Sequence, residues 1–140
     1  MGDVGLDSIL IHDLKIIPTS GGNVMHVMKS SDDVFHEFGE AYFSWIEPGR
    51  VKAWKRHKIM TMNLAVPVGS VKFVFFTSPV NFREVIIGEN FYKLITVPPG
   101  IWYGFSGHSR NSSLILNLAD TMHNPDEVER KDCATVDFKW

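Results

Sequence analysis

Short runs in which apolar and polar residues alternate recur along the chain: Ala41–Ile46, Val51–His57, Met62–Val66, Val71–Phe76, Arg83–Ile87, Tyr92–Val97 and Ser113–Leu118. A period of two sends successive side chains to opposite faces, so each run predicts a strand with one buried side. Between the runs lie Pro48-Gly49, Val68-Gly69-Ser70, Ser78-Pro79, Gly88-Glu89-Asn90, Pro98-Pro99-Gly100 and the polar stretch 106–112, all rich in turn formers. Many short strands at even spacing predict an all-β sandwich or barrel. No long segment repeats at helical spacing. Asn124-Pro125-Asp126-Glu127 reads as an N-cap, a proline at the first helical position and an acidic first turn, and predicts a short C-terminal helix around Pro125–Arg130. The stretch 19–23, with Gly21-Gly22, predicts a flexible connection and not a phosphate loop, because no helical pattern follows it.

The run Val51–His57 carries most of the candidate chemistry. Strand alternation places Ala53, Lys55 and His57 on one face and Lys52, Trp54, Arg56 and Lys58 on the other. If the first face lines a barrel, the Lys55 ammonium needs a partner or a ligand, unless it snorkels to the mouth. His57 is either internally hydrogen-bonded or a proton-transfer group. The opposite, basic face reads as a solvated edge. It is short, and the formal net charge of -2 argues against nucleic acid as a partner. Trp102 and Tyr103 follow the Pro-Pro-Gly turn and fall at a strand start near a barrel mouth, where they either pack or stack on a base or sugar. Asn63 and Asn117 interrupt apolar strands, and a buried amide must find a partner in backbone or in a polar ligand.

The 140 residues are enough for one good core, so a single domain over residues 1–140 is expected, and 44% hydrophobic with 21% charged residues fits a soluble fold. The lone Cys133 excludes an intrachain disulfide and fits a reducing, cytoplasmic setting. The N-terminus is acidic at Asp3 and Asp7, and its apolar stretch Ser8–Ile11 is too short for a signal-peptide core or a membrane span. Apolar strand edges such as Val71–Phe76 predict a homodimer in which another copy covers them.

The spacing around the basic strand resembles the first cupin motif, G-x5-H-x-H-x4-E-x6-G: Gly49 and Gly69 fall at its glycines and His57 at its second histidine. Lys55 stands at the first histidine and Met62 at the glutamate. In the second motif, P-x-G-x2-H, Pro98 and Gly100 match and Tyr103 replaces the histidine. One imidazole beside an amine and a thioether is not a donor set for Zn, Fe or Mn, so no metal or other cofactor is expected.

Four longer stretches, 38–58, 60–76, 92–105 and 116–132, with Trp140, resemble the dTDP-4-dehydrorhamnose 3,5-epimerase family of cupins. That resemblance implies a jelly-roll barrel and a metal-independent epimerase or ketoisomerase. Its substrate would be a 4-keto-6-deoxyhexose linked to dTDP or a similar nucleotide, losing a proton beside the ketone. By position, Asp132 falls on the family's aspartate, Lys55 where its basic histidine belongs, and Met62 or Asn63 at its enolate lysine. Met122-His123 stand where its acid tyrosine is expected, and Lys52 keeps the charge of its diphosphate-binding arginine. The resulting expectation is a catalytic set of His57 as base, Lys55 on an enolate or phosphate, Tyr103 as acid and Asp132 near Lys55. Lys52, Asn63, Trp102 and Asn117 are expected to contact substrate. The replaced positions leave a second reading open, a sugar-nucleotide-binding cupin without catalysis.

Overall fold

A computed structural model describes residues 4–140; Asp3 lies outside them. In chain order the strands are β1 (Leu10–Asp13), β2 (Ile16–Ile17), β3 (Val24–Met25), β4 (Glu40–Ile46), β5 (Val51–His57), β6 (Met62–Val68), β7 (Ser70–Phe76), β8 (Phe82–Gly88), β9 (Lys93–Val97), β10 (Trp102–Gly107), β11 (Ser113–Ala119) and β12 (Val128–Arg130). Two five-stranded antiparallel sheets, β1-β9-β6-β11-β4 and β12-β5-β10-β7-β8, face each other as the cupin jelly roll. All seven alternating runs are strands. The connection at 19–23 is the turn of a small β2–β3 hairpin.

The first sheet contributes Met62, Leu64, Val66, Ile95 and Ile115 to the interior, and the second contributes Val71, Phe73, Phe75, Ile87 and Tyr103. Each such side chain, fully buried, contributes roughly 1.5–3 kcal/mol. A second cluster covers the outside of the second sheet, where Trp54, Val74, Phe76 and Trp102 meet Val136, Phe138 and Trp140 from beyond β12.

Two expectations are corrected. The segment after Asn124 is not a helix. Asn124 does cap, accepting a hydrogen bond from the Asp126 amide at 3.0 Å, but only a single 3-10 turn, Pro125–Glu127, follows. The chain then extends because Val128–Arg130 pairs with β5, offering the backbone a ladder in place of a second helical turn. Val71–Phe76 is not an edge either. As β7 it lies between β10 and β8, with Phe73 through Phe76 fully buried, so no second copy can pair there.

The bare apolar surface lies on the first sheet. Trp45 and Phe43 of edge strand β4 stand beside Leu114 and Leu116 of β11, and Leu114 stands beside Val68. Phe43 is 63% and Trp45 57% exposed. No helix among the described residues is long and apolar enough to cross a membrane.

Candidate active site

A cavity of about 540 Å3 opens between the sheets. Strand β5 forms one wall, and its register is not the simple alternation its sequence implies. Tyr103 of β10 pairs with Lys55, but the next residue, Gly104, pairs with Ala53, so Trp54 is an extra residue in β5. Such a bulge reverses the facing of whatever precedes it. Ala53 accordingly packs with the outer aromatic cluster. Lys52, opposite the core residue Phe105, comes round to the cavity, where its ammonium donates to the Trp45 carbonyl at 2.9 Å. Gly104 permits this: a Cβ there would lie 2.6 Å from the Ala53 Cβ and 3.1 Å from Trp54.

Beyond the bulge the pairing builds a row across three strands, Arg130 (β12), Lys55 (β5) and Tyr103 (β10). Directly paired residues share a face, and all three line the cavity. Among the described residues no carboxylate lies within ion-pairing distance of Lys55, although its neighbour Arg56 bonds Glu129 at 2.8 Å. Desolvation, then Arg130 and Lys52, hold the Lys55 amine below the usual lysine range. Burial, reinforced by Tyr42 and Glu127 and opposed by Arg130, pushes the Tyr103 phenol well above its ordinary range, so it stays protonated.

One row deeper, His57 is buried and does not line the cavity. Its Nδ1–H donates to Glu127 Oε2 at 2.5 Å, and its ring stacks on Tyr103 with centroids 6.0 Å apart. The other Glu127 oxygen accepts the Ile59 and Met60 amides at 2.9 and 2.8 Å. Burial raises the Glu127 pKa, but His57 and these amides together outweigh it and hold the carboxyl below its ordinary value. In the neutral imidazole the carboxylate therefore places the proton on Nδ1 and the lone pair on Nε2, an atom that is buried and has no hydrogen-bond partner among the described residues.

Glu127 is the site residue that sequence reasoning missed: it read as a helix-turn acid, and Asp132 was expected as the pocket's carboxylate. Asp132 lines the cavity rim but is exposed, and it forms no ion pair with Lys55. Tyr42 was missed as well. It reaches the cavity from β4, where the Asn117 amide donates to its hydroxyl at 3.0 Å.

Of the expected substrate contacts, Lys52 and Asn117 line the cavity, whereas Asn63 and Trp102 do not. Asn63 is consumed structurally: its amide donates to the Leu118 carbonyl at 3.1 Å and its oxygen accepts from Thr96 at 2.8 Å. Trp102 faces outward, stacked on Phe76 and overlaid by Arg56 and Lys131 at 4.6 and 4.8 Å. Cys133 is exposed at the cavity, and Met122 is exposed to solvent. At the cupin metal positions stand Lys55, His57, Met62 and Tyr103, and among the described residues no group of three or more His, Cys, Asp or Glu could hold a metal ion.

No family model matches the chain. A dTDP sugar isomerase from Desulfovibrio desulfuricans G20 is 37% identical with a TM-score of 0.89, over 96% of this chain and 91% of that one. A probable low-salt glycan biosynthesis epimerase, Agl13, from Haloferax volcanii is 26% identical over 133 residues, 87% of this chain and 85% of its own. The dTDP-4-dehydrorhamnose 3,5-epimerase from Sulfolobus tokodaii shares the fold at 19% identity, with a TM-score of 0.80 over 98% of this chain and 84% of that one.

Proposed function

Since the chain belongs to the dTDP-sugar isomerases and 3,5-epimerases of the cupin fold, we propose that it is a metal-independent epimerase or ketoisomerase acting on a 4-keto-6-deoxyhexose linked to dTDP or a similar nucleotide. The observation that carries this reading is the His57–Glu127 pair, a histidine with its proton fixed on one nitrogen and its other nitrogen unpartnered, lying directly behind a row of Arg130, Lys55 and Tyr103.

Lys52 and Arg130 bring positive charge to the cavity for the diphosphate. The hexose lies against the Lys55–Tyr103 row, and for His57 to take its C–H proton the Tyr103 ring must shift and open Nε2, buried behind that row, to the cavity. Proton transfer makes an imidazolium, and the adjacent Glu127 carboxylate stabilises that charge as it forms. The protonated Tyr103 phenol stands ready to donate the returning proton, and Lys55 stands at the oxygen of the reacting ketone. Asn117 orients Tyr42 along the opposite wall. No step calls on a metal or cofactor.

Incubation of the protein with dTDP-4-keto-6-deoxyhexoses in deuterated water tests the reading. Deuterium should enter beside the ketone together with epimerised or isomerised product. Tight binding with neither would instead identify a non-catalytic sugar-nucleotide module.

The working form is a homodimer in the reducing cytoplasm. Large aromatic side chains offer about 150–250 Å2 each, so Phe43 and Trp45 alone present roughly 200–300 Å2. Val68, Leu114 and Leu116 extend that surface toward the size at which an exposed apolar patch marks an interface.

A further inference from the structure

Several cations of the barrel have partners. Arg56 has Glu129, Lys72 has Glu84 at 3.0 Å, Lys93 has Asp13 at 2.6 Å, and Lys52 has the Trp45 carbonyl. Among the described residues Lys55, like its cavity neighbours Arg130 and Lys131, has no carboxylate within ion-pairing distance, and it is set between the cation Arg130 on one paired strand and the phenol of Tyr103 on the other. The facing wall sets the apolar Met62, Leu64 and Ile115 beside the polar Tyr42, Ser44 and Asn117. A lysine kept only to attract an anion would be served by a solvated position or a flanking acid. Partial burial beside other cations is the arrangement that frees an amine lone pair for attack on a carbonyl.

We propose that Lys55 is a covalent catalyst that condenses with the ketone of the sugar to form a protonated imine, in place of acting as a fixed positive charge. The inference rests on the keto-sugar reading of the same cavity.

In the first step the neutral amine of Lys55 adds to the carbonyl carbon, forming the C–N bond while the C=O π pair moves to oxygen and takes up a proton. The resulting carbinolamine loses its hydroxyl, with one further proton, as water, and the nitrogen lone pair closes the C=N bond. Tyr103, directly across the strand pair, is placed to supply that proton, and its high pKa lets it recover the proton from the ammonium entering the next cycle. The iminium then draws electrons from the adjacent carbon more strongly than the ketone does. His57 Nε2 removes the carbon-bound proton, and the electron pair comes to rest as a neutral enamine. Reprotonation of that same carbon from its other face, the epimerase outcome, regenerates the iminium, and water hydrolyses it to the product ketone and the free amine. One water leaves and one returns, so the cycle balances without any other reagent. The lowered pKa of Lys55 raises the share of amine competent for the first step at neutral pH.

Two measurements on the wild-type protein decide the matter. The first is turnover of dTDP-4-keto-6-deoxyglucose in 18O-labelled water. An imine requires the ketone oxygen to leave as water, so each turnover should place solvent oxygen at the carbonyl, faster than in a protein-free control. The second is reduction with sodium cyanoborohydride during turnover, followed by peptide mapping. A secondary amine should appear at Lys55, heavier by the sugar nucleotide less one oxygen atom. Lys55→Arg keeps the charge but cannot form the imine. It should bind dTDP as the wild type does, give no adduct, and exchange deuterium about a hundredfold more slowly or worse, the scale of losing a directly engaged group.

Turnover with the ketone oxygen retained and no adduct would overturn the imine while leaving the isomerase reading intact. So would Lys55→Arg retaining wild-type exchange, or an adduct mapped to another lysine. Absence of exchange, product and adduct with every keto-sugar tried would overturn both.

Discussion

Replacing Glu127 by glutamine changes one atom and should switch off the base while the barrel stays folded. In the wild type the carboxylate accepts from His57 Nδ1 at 2.5 Å and from the Ile59 and Met60 amides at 2.9 and 2.8 Å. In Glu127→Gln the side-chain carbonyl can still accept both backbone amides, but the NH2 now faces His57. An NH2 cannot accept a proton from Nδ1, so the imidazole takes the tautomer with its proton on Nε2, and the lone pair proposed to take the substrate's proton is lost. Losing a correctly protonated base costs about 10²- to 10⁴-fold in turnover. Hydrogen bonds to a charged acceptor contribute about 1.5–3 kcal/mol and neutral ones about 0.5–1.5. Three bonds are weakened, but a buried charge is also removed, leaving a net loss of about 1–2 kcal/mol. That corresponds to a Tm lower by roughly 4–8 °C for a chain of this size. The Glu127 pKa is held below its ordinary value in the folded state, so this stabilisation is complete above the unfolded-state pKa and is lost as pH falls through the folded one. The Tm gap between wild type and variant should therefore close in acid. Asp132→Asn serves as the control. That side chain is exposed and forms no ion pair, so stability should stay within about 0.5 kcal/mol and exchange should stay near wild type. Deuterium exchange followed by NMR, with thermal melts across pH, measures both effects. If Asp132→Asn abolished exchange while Glu127→Gln preserved it, the pairing argument would be wrong.

Other substitutions probe separate parts of the argument. Lys55→Met should raise the Tm at pH 7, because an amine whose folded pKa is depressed destabilises the fold while it is charged. The gain should shrink as pH climbs through the folded pKa toward the ordinary lysine value, and an unchanged gain at high pH would contradict the lowered pKa. Gly104→Ala forces a methyl to within 2.6 Å of Ala53 beside the bulge and should cost about 1–3 kcal/mol, read as a lower urea midpoint. Trp45→Glu should convert a sedimenting dimer to monomer at micromolar concentration without altering the melt of the monomer. A wild type that already sediments as monomer would dismiss the interface.

The parts of the fold that the sequence disclosed are those where alternation and burial coincide. Ser113–Leu118 alternates buried and partly exposed residues and matches β11 closely, and the run Val51–His57 matches the bounds of β5 although its burial does not alternate. Strand β10 was harder to see because Gly104 and Gly107 dilute its pattern: those glycines accommodate close neighbours at Ala53 and Glu47, a property of packing that leaves no periodic trace. Lys52 was assigned to the wrong face because a period of two assumes an unbroken ladder, and nothing in the local residues announces that Trp54 is inserted. Glu127 escaped for a different reason. Its three partners lie 67 to 70 residues away in sequence, while its own surroundings, Asn-Pro-Asp-Glu, satisfy a helix-start pattern well. The cue that was available is that a buried histidine with no nearby acid must recruit a distant one. Asn63 and Asn117 looked alike as polar interruptions of apolar strands. Only the sheet order separates them, leaving one beneath the outer layer and the other in the cavity.

The 70-residue separation between His57 and Glu127 also sets a timetable for making the enzyme. At a synthesis rate of about 5–20 residues per second, roughly 4–14 s pass between the two residues being added. For that interval the nascent strand β5 has neither the carboxylate that fixes its imidazole nor β12 along its flank. A ribosome stalled between positions 119 and 127 would therefore hold a chain that has already made the sequence of every strand from β1 to β11 but is still catalytically mute.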